Sequence, residues 1–101
     1  MLDAQNKKLA KERASLFSVF GNARRVLILW ALDEKEISVG EIASLIDASL
    51  QSTSQHLRIM KDKGVVKSRR DGQTVYYRVA NNELVKSCQI LQQQNGATRE
   101  N

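Results

Sequence analysis

The stretch from Ser49 to Gly64, "SLQSTSQHLRIMKDKG", concentrates hydrogen-bonding side chains at helical spacing. Its first two turns hold Gln51, Ser52, Thr53, Ser54 and Gln55, and of these types only Gln is a good helix former. Gln can pair bidentately with adenine, Ser can donate or accept, and Arg pairs with guanine, so the set matches the base edges of a major groove. The same residues would also fill an exposed surface with no partner. The surrounding chain must separate the two readings.

At about 100° per residue, Thr53, Leu57 and Met60 cluster on the inner side of this helix. Gln51, Gln55, Arg58 and Asp62 point outward, and Ser52 and Ser54 flank them. Ile59 also falls outward, where it could meet a thymine methyl or pack on a neighbouring element. His56, the only histidine, sits at the edge of the inner stripe. There a packed or phosphate-contacting imidazole is preferred over a metal ligand.

The elements around this helix follow from punctuation and periodicity. Residues 4–20 read as a first helix with Leu9, Leu16, Phe17 and Phe20 largely on one side, broken by Gly21-Asn22. Asn22 caps a second helix, "ARRVLILWALD", whose Val26, Leu27, Leu29 and Trp30 are expected to be the most buried. The run "DEKE" reads as a solvated turn. Ser38 and Glu41 then have capping-box spacing before a short third helix lined by Val39, Ile42, Leu45 and Ile46. After a three-residue turn, "DAS", Ser49 caps the fourth helix, and Gly64 stands where a left-handed cap ends it.

Beyond Gly64, "VVKSRR" and "QTVYYRVA" are β-branched and aromatic runs joined by Asp71-Gly72, a hairpin signal. Alternation puts Val75, Tyr77 and Val79 on the core face, leaving Tyr76 and Arg78 on the other. Tyr76 is expected to be packed with a wet hydroxyl, because single-strand binding would want several exposed aromatics. Asn81 or Asn82 caps a last helix, "ELVKSCQILQQQ", with Leu84, Val85, Cys88 and Leu91 on one face. The order predicted is helix, helix, helix, helix, strand, strand, helix. This is a mainly α winged helix-turn-helix with a β-hairpin wing.

Charge is sided in the same way. Residues 50–80 carry seven Lys and Arg against two acids, whereas residues 31–49 carry one Lys against five acids. A solvated lysine-rich face would look similar, but a basic block around the Ser/Gln helix suits a polyanion. Arg58 and Lys61 on the helix, with Lys67, Arg69, Arg70 and Gln73 on the hairpin, are placed to hold phosphates or enter a minor groove. The expected partner is double-stranded DNA, read by Gln51, Ser52, Ser54 and Gln55. A winged-helix module that binds another protein is the competing reading.

Length and composition bound the rest. The 101 residues make one domain, here taken as residues 1–94 with a frayed polar tail at 95–101. One cysteine excludes an intrachain disulfide, and no long apolar run or signal segment is visible, so no membrane partner and a cytoplasmic location are expected. No nucleophile elbow, phosphate loop or clustered acid-base set argues for an enzyme, and no cofactor is expected.

These residues resemble the ArsR/SmtB family of winged-helix repressors. The resemblance is carried by "FSVFGNARRVLILWAL", "SVGEIASLI", "STSQHLRIMKDKGVV" and "RRDGQTVYYRV", almost without a gap from residue 16 to residue 80. It implies a homodimer held by the first and last helices, with Leu9, Leu16, Phe20, Leu84, Cys88 and Leu91 at the interface. It also implies repression at an inverted-repeat operator, relieved by an inducer.

The sequence departs from the sensing branches of that family. Where a Cys-x-Cys would open the third helix stand Ser38 and Gly40, which cannot ligate soft metals. The last helix offers Glu83 and Cys88 but no histidine, and Trp30 stands where a thiol-sensing partner cysteine would be. No metal site is therefore expected, and the inducer is unknown. Cys88 is expected to be a buried inert thiol, with a redox bridge to its copy across a dimer as the minor reading.

Overall fold

The computed structural model describes residues 1–80, 87–88 and 91–93. Seven elements occur in the order α1 (Ala4–Ser18), α2 (Ala23–Leu32), β1 (Ile37–Ser38), α3 (Val39–Leu45), α4 (Leu50–Asp62), β2 (Val66–Asp71) and β3 (Thr74–Val79). The winged helix-turn-helix is thus present, with one strand more than the sequence suggests. β1 pairs antiparallel with β3 through Ile37↔Tyr77 and Ser38↔Tyr76, which makes β3 the central strand of the sheet.

Each helix starts where the caps say. Asp3 and Asn6 exchange bonds at the head of α1, with Asn6 N donating to Asp3 Oδ1 at 2.9 Å. Asn22 Oδ1 accepts from Arg24 N at 3.0 Å and Arg25 N at 3.3 Å. Ser38 and Ser49 accept from Glu41 N and Ser52 N, so both helices of the helix-turn-helix begin on a serine cap. Between them Asp47 takes a left-handed φ of 55°, which aspartate tolerates better than most residues.

The end of α4 is a Schellman motif. Val65 N donates to Met60 O and Gly64 N to Lys61 O, both at 2.9 Å, with Gly64 at φ 76°. Met60 and Val65 are both buried, supplying the apolar contact that accompanies this cap. The turn therefore throws the chain directly from the core face of α4 into β2.

The core joins Ile28, Leu29 and Leu32 of α2, Ile42 of α3, Leu57 and Met60 of α4, and Val66 and Val79 of the hairpin. Thr53 is buried with them and satisfies its hydroxyl by donating to Ser49 O at 2.8 Å. In α2 the expected stripe is rotated: Ile28 and Leu32 are buried, whereas Leu27 is exposed. In α3, Ala43 is buried and Leu45 lies 61% exposed. Both helices pack on two sides, so one apolar stripe at ideal spacing does not describe either.

The hairpin register also differs by one residue. Asp71 is the last residue of β2 and pairs with Thr74, so the two-residue loop is Gly72-Gln73. Gly72 takes φ 63°, and Gln73 is not in the positive-φ region. A positive φ at the first central position alone is the pattern of a type II′ turn, for which Gly is suited.

α1 stands apart from this core. It has no buried residue, and it meets α2 at 81°. Leu16 and, just past its end, Phe20 pack partly against the core, and Lys63 Nζ donates to Ser15 Oγ. Leu9 and Phe17 remain exposed, Phe17 at 56%. The four residues expected on one side thus split into an inner pair and an outer pair.

The expected helix over 83–94 falls mostly outside the described residues, as do its capping Asn81 and Asn82, Leu84 and the boundary at 94. Of its described members, Cys88 is a half-buried free thiol. Leu91 is 6% exposed in this chain's own core, and its carbonyl accepts from Trp30 Nε1 at 2.8 Å. Trp30 is thus a structural pin between α2 and the C-terminal segment.

Candidate nucleic-acid interface

α4 presents the predicted outer face. Gln51, Gln55, Arg58, Lys61 and Asp62 are exposed, Ser52, Ser54 and His56 are half-buried, and Thr53, Leu57 and Met60 are sealed beneath. Ile59 is 41% exposed on the outer side. Of the first-turn amides, that of Ser52 is capped by Ser49 Oγ at 3.0 Å.

The wing rises beside the end of this helix. Strand alternation and pairing put Ser68 with Tyr77 and Arg70 with Val75 on the face toward α4, and Lys67 with Arg78 and Arg69 with Tyr76 on the opposite face. Arg58, Lys61 and Asp62 of α4 and Ser68, Arg69, Arg70, Val75 and Tyr77 of the wing line an open cleft of about 610 Å³. The predicted basic residues of the wing are thereby divided. Arg69 and Arg70 share the cleft with the polar helix, and Lys67 looks away from it.

Arg69 is committed inside the chain. Its Nη2 lies 2.7 Å from Glu36 Oε1, and its guanidinium stacks 4.7 Å from the Tyr76 ring centroid. Arg69 holds the Glu36 carboxyl below the usual carboxylate range, chiefly through these hydrogen bonds, with Arg78 adding to the effect. Glu36, read from sequence as part of a solvated turn, instead ties the α2–β1 turn to the wing. Tyr76 is the packed aromatic expected, with a cation for a neighbour.

Two residues of this surface were not picked out from sequence. Arg24 Nη1 donates to Ser52 Oγ at 3.2 Å, joining the first turn of α2 to the first turn of α4. Arg25 is half-buried alongside, and its Nε is shielded from solvent without a partner, as is Nδ1 of His56. Such an unmet buried group costs about 1–3 kcal/mol. Burial, then Arg25 and Arg24, push the His56 pKa below its ordinary value, so His56 is neutral at pH 7. The available signal was electrostatic: two cations in a helix's first turn oppose its dipole.

Elsewhere, a hollow of about 270 Å³ lies between α2 and α3, lined by Leu27, Trp30, Leu45 and Ile46 with Lys35 and Gln93. Among the described residues, no group of three His, Cys, Asp or Glu is placed to hold a metal ion. No single helix among them is long and apolar enough to cross a membrane.

Known proteins share this arrangement. The profile of the bacterial regulatory protein, arsR family, matches residues 22–68, from the cap of α2 into β2. The transcriptional activator HlyU of Vibrio cholerae is 33% identical over 85 residues, covering 84% of this chain and 79% of HlyU. The chain belongs to the ArsR family. The HTH-type transcriptional regulator KmtR of Mycobacterium tuberculosis is 38% identical over 69 residues, or 68% of this chain. This chain spans about half of KmtR, 53% of its length.

Among solved structures, the homodimeric winged helix-turn-helix DNA-binding domain of Mb0332 from Mycobacterium bovis superposes with a TM-score of 0.76 at 29% identity. That match covers 85% of this chain and 80% of the domain. As an ArsR-family chain, the protein is a winged helix-turn-helix transcriptional regulator of a DNA-binding family.

Proposed function

We propose that the protein is a homodimeric repressor that binds an inverted-repeat operator in double-stranded DNA and acts in the cytoplasm, where that DNA is found. α4 enters the major groove in two symmetry-related copies. Gln51, Ser54 and Gln55 meet base edges, Ser52 lies at the flank, and Arg58, Lys61 and Arg70 hold phosphates across the cleft. Lys67 and Gln73 reach the backbone from the outer face and the tip of the wing. Arg69 acts mainly through Glu36, by fixing the wing. Residues 1–94 form the working unit, with the first and last helices as dimerisation elements and residues 95–101 as a tail.

One observation carries this reading: after an exposed Leu50, the outer face of α4 from Gln51 to Gln55 is polar and uncharged, over a wholly buried Thr53–Leu57–Met60 stripe. The dimer is supported by α1, a helix of 15 residues with none buried, whose Leu9 and Phe17 need a covering surface. The homodimeric state of the Mb0332 domain agrees with it. Repression follows from occupancy of a promoter. HlyU, named as an activator, marks the sign as the part to be tested separately.

The test is titration of a labelled duplex from the upstream region of the protein's own gene, with a reporter fused to that region. Salt-sensitive, sequence-selective binding and a reporter that falls on expression are the expected results. Failure to bind any duplex at low ionic strength would favour a protein-interaction module, and a rising reporter would make the protein an activator.

A further inference from the structure

We infer that Arg24 and Arg25 of α2, with Ser52 of α4 and backed by His56, grip one backbone phosphate of the DNA beside the bases that α4 meets. The inference rests on the DNA reading above and extends the binding surface to an element outside the helix-turn-helix pair.

Four observations converge on this seam. The first turn of α2 carries two adjacent guanidiniums at the end of a helix whose dipole disfavours cations. Among the described residues neither meets a carboxylate, and the Asn22 cap already occupies the amides of Arg24 and Arg25. An external anion is the group that relieves this arrangement.

The seam is also tied in place. Arg24 donates to Ser52 Oγ at 3.2 Å, one residue from Gln51 on the outer face of α4. With its oxygen accepting from Arg24, the Ser52 hydroxyl keeps its own proton to donate to a phosphate oxygen. A base edge and the phosphate flanking its groove are therefore served by neighbouring residues of one helix end.

Behind Arg24, the Arg25 Nε and the His56 Nδ1 are shielded without partners. A phosphate drawing the Arg25 guanidinium outward gives that fork an acceptor, in the bidentate geometry that Arg–phosphate pairs favour. His56, kept neutral by burial and by the same two arginines, adds no third cation to the seam.

The experiment compares the full chain with Arg24→Gln, Arg25→Gln, Arg24→Lys and, on exposed α1, Lys7→Gln, binding a mixed-sequence duplex over a range of KCl concentrations. Arg24→Gln and Arg25→Gln should each weaken every duplex by a similar factor, roughly tenfold. Each should also reduce the slope of log affinity against log salt by about 1 per protomer. Arg24→Lys should keep most of the slope, and Lys7→Gln should leave it unchanged. Thermal melting of each variant confirms the fold, since Arg24 is exposed.

If Arg24→Gln and Arg25→Gln keep the parental slope while the parent binds DNA, the phosphate seat is wrong and the DNA reading stands. An equal change for Lys7→Gln would show only a general charge effect and also overturn it. A parent that ignores the duplex sinks the DNA reading itself.

Discussion

The Arg69 guanidinium meets the Glu36 carboxylate along its edge, with Nη2 2.7 Å from Oε1 and Nε 3.1 and 3.2 Å from Oε1 and Oε2. Three elements are linked by this contact: the turn after α2, the first strand of the wing, and Tyr76 beneath the guanidinium. An arginine so engaged is a poorer phosphate ligand than a free neighbour. Arg70→Ala should therefore cost more DNA affinity than Arg69→Ala, measured on one duplex at one salt concentration. Equal losses would mean that Arg69 leaves Glu36 when DNA binds.

The same pair has a pH signature. Arg69 lowers the Glu36 pKa in the folded chain, so the unfolded chain takes up the proton first as acid is added. The stabilisation is whole above the ordinary glutamate pKa of about 4.3 and is lost as pH falls through the lower folded value. Glu36→Gln should flatten that part of the profile, read by hydrogen exchange of the β2–β3 amides. An unchanged acid limb would mean that the wing does not depend on the pair.

His56 gives a second limb nearer neutrality. Its pKa is lowered by burial and by Arg25 and Arg24, so the unfolded chain again binds the proton more readily. Stability should be full above about pH 6.5 and decline as pH falls through the folded value. His56→Gln should remove this decline in thermal melts taken across that range. A melting curve that improves on acidification would contradict the burial of a neutral imidazole.

Gly64 closes α4 at φ 76°, and a methyl group built there would meet nothing within 4 Å. The cost of Gly64→Ala is therefore backbone strain alone, about 1–2 kcal/mol. Gly64→Asn should cost less, since asparagine tolerates this region. Chemical denaturation of both variants checks the order, and a neutral Gly64→Ala would show that the cap can relax.

The exposed apolar residues of α1 predict an assembly. Burying Phe17, now 56% exposed, against a second copy would contribute about 1.5–3 kcal/mol per side chain. Phe17→Glu should yield a folded monomer by sedimentation and weaken DNA binding through loss of the second half-site. A Phe17→Glu protein that stays dimeric would place the interface elsewhere.

What could be read from the sequence divides along the range of the forces involved. Ser49, Asn22 and Gly64 act within one helical turn, and their caps appear where their types demand. The stripe of α4 was readable because one side packs and the other faces solvent. β1 was not, since two residues carry no periodicity and are held by β3 from 38 positions away, Ser38 against Tyr76. Asp71-Gly72 and Gly72-Gln73 are both plausible loops, and the cross-strand pairing of Asp71 with Thr74 decides between them. Arg24–Ser52 and Glu36–Arg69 join residues 28 and 33 positions apart, a distance at which charge and polarity have no local mark.

The role of α4 is tested most directly by fluorescence anisotropy of the parent and Gln55→Ala on an operator duplex and a scrambled duplex, across ionic strength. The parent should prefer the operator. Gln55→Ala should lose about 1–3 kcal/mol of that preference while keeping its salt dependence. A Gln55→Ala protein as tight and as selective as the parent would contradict the placement of α4 against the bases.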